Sequence, residues 1–362
     1  MTLLFVVEHY YPYIGGAETL FQSLAESLAA AGKTVTVVTT RFRPDLAAEE
    51  DYRGVRIIRI NCGNRFLFSL LALPRVIREA RRADLIHTTT YNAAPPAWLA
   101  GKLTRKKVIL TFHEVWGRLW FQLPYTSWWQ RYGFYLYEQA VVRLPFHHYI
   151  AVSEFTRSAL IRNGIPAGRI SRIYNGLVYE RFTPYPRQAP LTFTYTYFGR
   201  LGISKGLDLL LPAAALLSKD HPESCLVLII PRTPKPMYRR ITRQVAELGL
   251  TDRVFLRHEL NRDELYRQIA GSSCVVVPSY SEGFCFVAAE TVALGVPIVS
   301  SGRGALPETV SGDYLQMEDM TADSLYRCLV RAYNGNFNRR PVRRFPLREA
   351  LESYLKLYGS LL

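Results

Sequence analysis

The 362-residue chain has little cysteine and no long apolar run, and each absence narrows its class. Its five cysteines, Cys62, Cys225, Cys274, Cys285 and Cys328, are odd in number and show no C-x-x-C spacing, so neither a disulfide framework nor a zinc site is indicated. A reducing compartment is the simplest setting. No uninterrupted apolar stretch approaches the ~18 residues of a membrane span. Met1 to Val7 is apolar but lacks a basic flank and runs into Glu8-His9-Tyr10-Tyr11-Pro12, so it reads as a first strand and not as a signal peptide. Acidic residues are also scarce, with 30 Asp and Glu against 45 Lys and Arg, a formal charge of +15. Such a surplus calls for an anionic partner: nucleic acid, a phosphorylated small molecule or acidic lipid headgroups. It sits mostly in the first half, where residues 1–185 carry 23 basic and 13 acidic side chains (+10) and the remainder 22 and 17 (+5). With 49% hydrophobic and 21% charged residues, collagen-like and wholly disordered chains are excluded.

Length favours two domains. Apolar runs of strand length recur between amphipathic stretches at Leu3–Val7, Thr34–Thr39, Val55–Ile60, Leu85–Thr88, Val108–Phe112 and Tyr149–Val152. They resume at Thr192–Phe198, Cys225–Ile230, Val254–Leu256, Cys274–Val277 and Pro297–Ser300. Continuous apolarity marks strands buried on both faces, as in parallel sheets, so two α/β sheets are predicted. Leu20, Phe21, Leu24 and Leu28 share one face of a first helix. The proline-rich stretch 184–190 reads as an interdomain linker, and Asn334–Pro346 separates a final helix, Leu347–Leu361, from the second domain.

Three places carry chemistry. Gly15-Gly16 lies between the first strand and a helix, where backbone N–H groups approach an anion and the helix dipole favours negative charge; a turn needing only glycine's freedom would look the same. No third glycine or Gly-Lys-Ser/Thr follows, which argues against dinucleotide and P-loop sites. In the second half, Gly199-Arg200-Leu201 and Lys205-Gly206 follow a strand, and a guanidinium with an ammonium at a strand's carboxyl end suits a diphosphate. The third place is Pro278 to Glu290. Glu282 sits in the loop after a buried strand, and Glu290 follows eight residues later within an apolar helix, where an ionised carboxylate needs donors such as a ribose diol or a backbone segment.

Taken in order, Gly15-Gly16-Ala17-Glu18, Gly199-Arg200-Leu201 with Lys205-Gly206, and Glu282 to Glu290 in an E-x7-E pattern resemble the retaining nucleotide-sugar glycosyltransferases of family 4. Thr111-Phe112-His113-Glu114, Ala151-Val152-Ser153-Glu154, Tyr174-Asn175-Gly176 and Gly304 with Leu306-Pro307-Glu308 extend the resemblance over nearly the whole chain. It implies the GT-B fold: two Rossmann-like parallel-sheet domains facing across a cleft. Residues 1–185 would form the acceptor-side domain and 186–340 the donor-binding domain, with 341–362 crossing back to pack on the first. It also implies that Gly15 and Gly16 close over the donor diphosphate, Arg200 and Lys205 neutralise it, and Glu290 binds the ribose. Glu282 would face donor-sugar hydroxyls, Gly283, Phe284, Cys285 and Phe286 would offer backbone amides, and His113 would stand at the reaction centre. Many glycosyltransferases of the other major architecture hold a metal with a D-x-D motif. This sequence has none, so no metal is expected and fixed cations would serve instead. Cys285 stands where the family usually has glycine, Glu114 where aspartate is frequent, and Pro231-Arg232-Thr233-Pro234 where a G-x-G-like turn is common.

The early charge has a separate reading. Arg75, Arg78 and Arg82 form one helical stripe with Arg81 at its edge, next to Phe66-Leu67-Phe68, a form that docks on anionic lipid. The segment Val115–Tyr137 adds Trp116, Trp120, Trp128 and Trp129, which suit membrane interfaces, sugar sites and ordinary cores alike. No nucleic-acid motif accompanies the charge. The expected protein is therefore a metal-independent, retaining transferase. It would move a sugar from a UDP- or GDP-sugar to a lipid-linked or polysaccharide acceptor, as a peripheral protein at the cytoplasmic membrane face. A soluble acceptor, or a noncatalytic nucleotide-sugar- or glycan-binding protein of the same fold, is the alternative.

Overall fold

The apolar runs of the first half assemble into a mostly parallel sheet in the computed structural model, which describes residues 1–13 and 15–362. Its strands are β1 (Thr2–Val6), β2 (Thr34–Thr40), β3 (Glu49–Tyr52), β4 (Val55–Ile60), β5 (Leu85–Thr89), β6 (Lys107–Phe112), β7 (His148–Ala151) and β8 (Ile170–Arg172), in the order β3-β4-β2-β1-β5-β6-β7-β8. A second sheet comprises β9 (Thr194–Phe198), β10 (Cys225–Ile229), β11 (Val254–Arg257), β12 (Cys274–Val277), β13 (Ile298–Ser300), β14 (Gly312–Gln316) and β15 (Asn338–Arg340), ordered β11-β10-β9-β12-β13-β14-β15. Only the edge pairs β3/β4 and β14/β15 are antiparallel among the described strands. A search for apolar runs overlooks β3, whose Glu49-Glu50-Asp51-Tyr52 is half exposed. It is held by buried Arg59, which donates to Glu50 Oε1 at 2.5 Å and to the carbonyls of Ala47 and Tyr11.

Two units result. The first contains Met1–Trp120, Trp129–Gly176 and Leu347–Leu362, and the second contains Phe121–Trp128 and Leu177–Pro346. The chain thus changes unit at Gly176/Leu177, not at the proline-rich stretch near residue 186. Side-chain packing accounts for the shift: Phe182 and Tyr185 lie 4.9 and 5.6 Å from Tyr266 by ring centroid, and the Gln188 N–H donates to Ala270 O. Residues 341–346 stay with the second unit, where Phe345 packs edge-on against Phe284. Phe121–Trp128 is an excursion into the second unit, with Arg240 over the Tyr125 ring at 4.8 Å.

The helix Leu347–Leu361 completes the core of the first unit. Tyr354, Leu357 and Tyr358 are buried with Leu3, Phe5 and Phe21, and Tyr358 Oη is 2.6 Å from Nδ1 of His87 on β5. His87 Nε2 is in turn 2.7 Å from Thr111 Oγ1 on β6. Burial, reinforced by nearby His113, depresses His87 to about 3, so the imidazole is neutral and offers one donor and one acceptor to these two hydroxyls.

The helix Leu73–Ala80 places the basic stripe differently from its helical wheel. Arg75 is occupied by Glu49 at 2.6 Å and Glu79 at 2.9 Å, while Arg78, Arg81 and Arg82 are exposed. Arg82 lines a groove with Thr2 and Thr34, at the amino ends of β1 and β2. Phe68 is fully buried, unlike its neighbours Phe66 and Leu67. Among the described residues, no helix is long and apolar enough to cross a membrane.

Two outcomes are expected from the His87 contacts. Tyr358→Phe leaves Nδ1 without its partner and lowers unfolding free energy by about 1–3 kcal/mol in urea titrations. Because the folded pKa of His87 lies below its unfolded value near 6.5, its contribution is complete above that pH and is lost as pH falls toward 3. Urea midpoints that do not decline between pH 7 and 4 would refute the neutral, buried imidazole.

Candidate active site

The second unit builds its site from two strand-to-helix turns. After β9 the chain passes through Gly199-Arg200-Leu201 and enters the helix Leu207–Asp220 behind Lys205-Gly206. Gly206 has φ +70°, and a Cβ there would lie 2.0 Å from Pro278 O, so only glycine lets this turn close on the loop after β12. The Tyr280 N–H donates to Ser204 O at 2.8 Å and locks the two turns together. Lys205 Nζ is consequently 2.7 Å from Glu282 Oε1, an oxygen that also accepts from Ser279 Oγ at 2.7 Å. The backbone of Glu282 is held as well: Gly304 packs where a Cβ would meet Glu282 O at 2.4 Å, and Ala305 N–H donates to that carbonyl at 2.7 Å. Burial alone would lower the Lys205 pKa, but Glu282 outweighs it and holds the ammonium charged well above its usual range. Arg200 is exposed and forms no ion pair among the described residues.

Cys285 then opens the helix Phe286–Ala293 at φ +72°, a left-handed conformation that costs a non-glycine residue about 1–2 kcal/mol. This is the physical reason for glycine at the equivalent family position. The thiol offsets part of the cost by accepting the Ala288 N–H at 3.4 Å, and burial with the Glu282 charge pushes its pKa well up, so it is an inert cap. Farther along the same helix, burial raises Glu290 to about 7 against the opposing pull of Arg262 and Tyr266, whose hydroxyl lies 3.5 Å from Oε1. Gly283 and Phe284 are buried and Phe286 is half-buried.

The other site candidates belong to the first unit. Gly15 is extended (φ −173°) and caps the helix Gly16–Ala30 that follows β1. His113 directly follows β6, half-buried, with its ring 6.4 Å from Phe21 of that helix and its carbonyl accepting from Thr156 Oγ1 at 3.3 Å. The next residues are clamped by Glu138, which is fully buried in the helix Trp128–Arg143. It accepts from the N–H groups of Trp116 (2.8 Å) and Gly117 (2.6 Å) and from Tyr91 Oη (2.8 Å). Burial raises its pKa and these donors pull against that rise. A second buried carboxylate, Glu8 after β1, receives Arg65 Nε at 2.7 Å and Asn92 Nδ2 at 2.9 Å. Burial would raise the Glu8 pKa, but His9, Arg65 and Asn92 together leave it lowered. Sequence reading missed Tyr266, Glu8, Asn92, Tyr91 and Glu138, because each acts on a group distant in sequence and none belongs to a spaced motif; Ser279 lies within the Pro278–Glu290 segment, but its contact with Glu282 shows only in the folded loop.

Residues 14–181 match the family described as Glycosyltransferase Family 4, and residues 190–320 match the one described as Glycosyl transferases group 1. The chain is a family 4-like glycosyltransferase of the GT-B type. Over its whole length the transferase is 27% identical to the GDP-mannose:cellobiosyl-diphosphopolyprenol alpha-mannosyltransferase of Xanthomonas campestris, covering 97% of that relative. It is 24% identical to a human phosphatidylinositol N-acetylglucosaminyltransferase subunit, over 90% of this chain and 67% of that one. Among solved structures, sucrose-phosphate synthase from Thermosynechococcus elongatus has a TM-score of 0.82 at 22% identity, covering 100% of this chain and 99% of that one. Anabaena HepE in complex with UDP and glucose has a TM-score of 0.75 at 17% identity, covering 99% and 100%. At such identities the structural likeness speaks for the fold.

The Lys205–Glu282 contact has a measurable consequence for the transferase. Lys205→Met leaves a largely buried carboxylate with Ser279 alone and should cost about 2 kcal/mol in chemical denaturation, while Lys205→Met/Glu282→Gln recovers most of that loss. Additive losses in the double variant would show that the pair is not coupled.

Proposed function

We propose that the transferase moves a sugar from a UDP- or GDP-sugar to a lipid-linked or polysaccharide acceptor, with retention of anomeric configuration and without a metal. The observation that carries this reading is the Lys205–Glu282 contact between the turns that follow β9 and β12, with Arg200 in the first of those turns, at the carboxyl ends of strands where open α/β sheets bind ligands. The relatives' names supply the acceptor and donor classes: one is named for GDP-mannose and a diphosphopolyprenol, and HepE was solved with UDP-glucose.

In this reading the donor diphosphate lies against Arg200 and Lys205. Cleavage of the anomeric C–O bond leaves its electron pair on the phosphate oxygen, and the two cations stabilise that charge as it grows. The acceptor hydroxyl attacks from the face the diphosphate leaves, transferring its proton to the departing phosphate oxygen. The Glu282 carboxylate is engaged by Lys205 and Ser279 and serves as an acceptor for donor-sugar hydroxyls, not as a covalent nucleophile of the two-carboxylate glycosidase kind. The family resemblance assigns His113 to the donor sugar and the Gly15-Gly16 turn to the diphosphate. Glu290 takes the ribose diol, whose two O–H donors compensate a desolvated carboxylate. The transferase works at the cytoplasmic face of the membrane as a peripheral protein.

A thermal-shift screen of UDP- and GDP-sugars should find one nucleotide class that raises the melting temperature, since bound ligand stabilises the native state. Glu290→Ala should abolish that shift without unfolding the chain, and an unchanged shift removes the ribose assignment. With the Glu290 carboxyl near 7, donor affinity should weaken as pH falls from 8 to 6, because the neutral acid accepts fewer hydrogen bonds. Turnover should survive EDTA, whereas a strict need for a divalent ion refutes the fixed-cation mechanism.

A further inference from the structure

A set of fully buried polar side chains lies close to His113 in the first unit, and core packing alone does not account for it. His87 on β5, Thr111 on β6 and Tyr358 on the last helix are all removed from water. Tyr358 Oη and Thr111 Oγ1 stand 2.6 and 2.7 Å from the two ring nitrogens of His87. The phenol is the stronger acid of the two hydroxyls, so it donates to Nδ1, and the Nε2–H donates to Thr111. The imidazole is also gripped by rings, edge-on to Phe5 at 5.4 Å and 4.9 Å from Phe21 by centroid. Apolar side chains of similar shape at these three positions would fill the same volume at little cost in stability, with no hydrogen bond to satisfy. What the polar set adds is uniqueness of placement: two buried hydrogen bonds fix the ring, and with it three elements, more narrowly than apolar contact does.

His113 stands where this placement is felt. Ile109, Thr111 and His113 alternate along β6 and the residue that leaves it, which puts them toward one face, the face on which Ile109 packs with the last helix. Phe21 bridges the two imidazoles, its ring 4.9 Å from His87 and 6.4 Å from His113. They are near enough that charge on His113 disfavours charge on His87. On the other side of His113 in the chain, Glu138 holds the N–H groups of Trp116 and Gly117. His113 is thus suspended between two fixed points, Thr111 two residues before it and Trp116 three residues after it. We propose that Tyr358, His87 and Thr111 are positioning residues for His113, so that the last helix sets where the reaction-centre histidine stands. The three act through the end of β6 and need no contact with substrate. A shift of His113 by about 1 Å costs up to about a hundredfold in rate, while the second unit's turns keep their own contacts. The proposal rests on the reading of His113 as a group at the donor sugar.

Two readouts on the full chain test it. The first needs no substrate: the Cε1–Hε1 signal of His113 in a carbon–proton NMR spectrum, assigned by its loss in His113→Gln. Tyr358→Phe and Thr111→Val should move that signal, and Thr111→Ser, which keeps the hydroxyl, should return it. Leu357→Ala, buried on the same helix but outside the hydrogen-bonded set, should leave it in place although it lowers the melting temperature at least as far. The second readout is release of nucleoside diphosphate from GDP-mannose and UDP-glucose with water as acceptor. Tyr358→Phe and Thr111→Val should lower kcat about tenfold with KM for the sugar nucleotide within about twofold. Thr111→Ser should restore kcat, and Tyr358→Phe should cost nothing further when added to His113→Gln. An unmoved His113 signal overturns the proposal. So does a kcat loss that Leu357→Ala reproduces, or one that persists undiminished beside His113→Gln; a turnover loss in His113→Gln alone then leaves the reaction-centre reading standing. Full turnover in His113→Gln removes that reading and the proposal together.

Discussion

The contact between Lys205 and Glu282 organises the second unit's site. An ammonium and a carboxylate at 2.7 Å, each largely removed from water, are stable only because each neutralises the other and Ser279 fills a further acceptor position. The contact exists because two loops, one after β9 and one after β12, are pressed together closely enough that Gly206 has no room for a side chain. Arg200, outside this pair, keeps its charge exposed, so among the described residues the site holds one cation already partnered and one without an ion pair. In the proposed function such a division would suit a diphosphate that must be bound and then released: the first cation is ordered by the protein, and the second would gain its partner from the ligand.

The same economy of buried charge recurs in the first unit, where the carboxylates serve backbone and loops. Glu138 gathers two consecutive N–H groups just after His113, and Glu8 ties Arg65 to Asn92. In both cases a desolvated acid is satisfied by donors from elements remote in sequence, which gives the loops at the carboxyl edge fewer alternatives than their irregular backbone would otherwise have. His87 extends the pattern in neutral form, joining β5, β6 and the last helix through two hydroxyls. That linkage explains how the final 15-residue helix becomes part of the first unit's core although the chain reaches it from the second.

The net charge of +15 resolves into unequal parts. Several early arginines that look free in sequence are consumed internally: Arg59 is buried beneath β3, and Arg56 and Arg75 share Glu49 and Glu79. The functional meaning of the charge therefore depends less on its sum than on which guanidinium groups the fold pairs with carboxylates.

Much of the architecture was legible before any coordinates. Continuous apolar runs specify buried parallel strands because both faces of such a strand must be covered, and the order of the Gly15-Gly16, Gly199-Arg200, Lys205-Gly206 and Glu282–Glu290 motifs identified the transferase family. The edge strands β3, β8, β14 and β15 were not legible, since a short strand at or near a sheet edge needs no continuous apolar code. Nor was the unit boundary at Gly176, which aromatic packing of Phe182 and Tyr185 on Tyr266 decides against the more conspicuous prolines. Sequence alone determined the residue types and their spacing along the strand-to-helix turns, because local geometry needs only local neighbours. Tertiary structure alone decided which carboxylate holds which cation, which arginines stay free and which apolar side chains stay exposed, because those outcomes depend on distance through space and on the water each group loses.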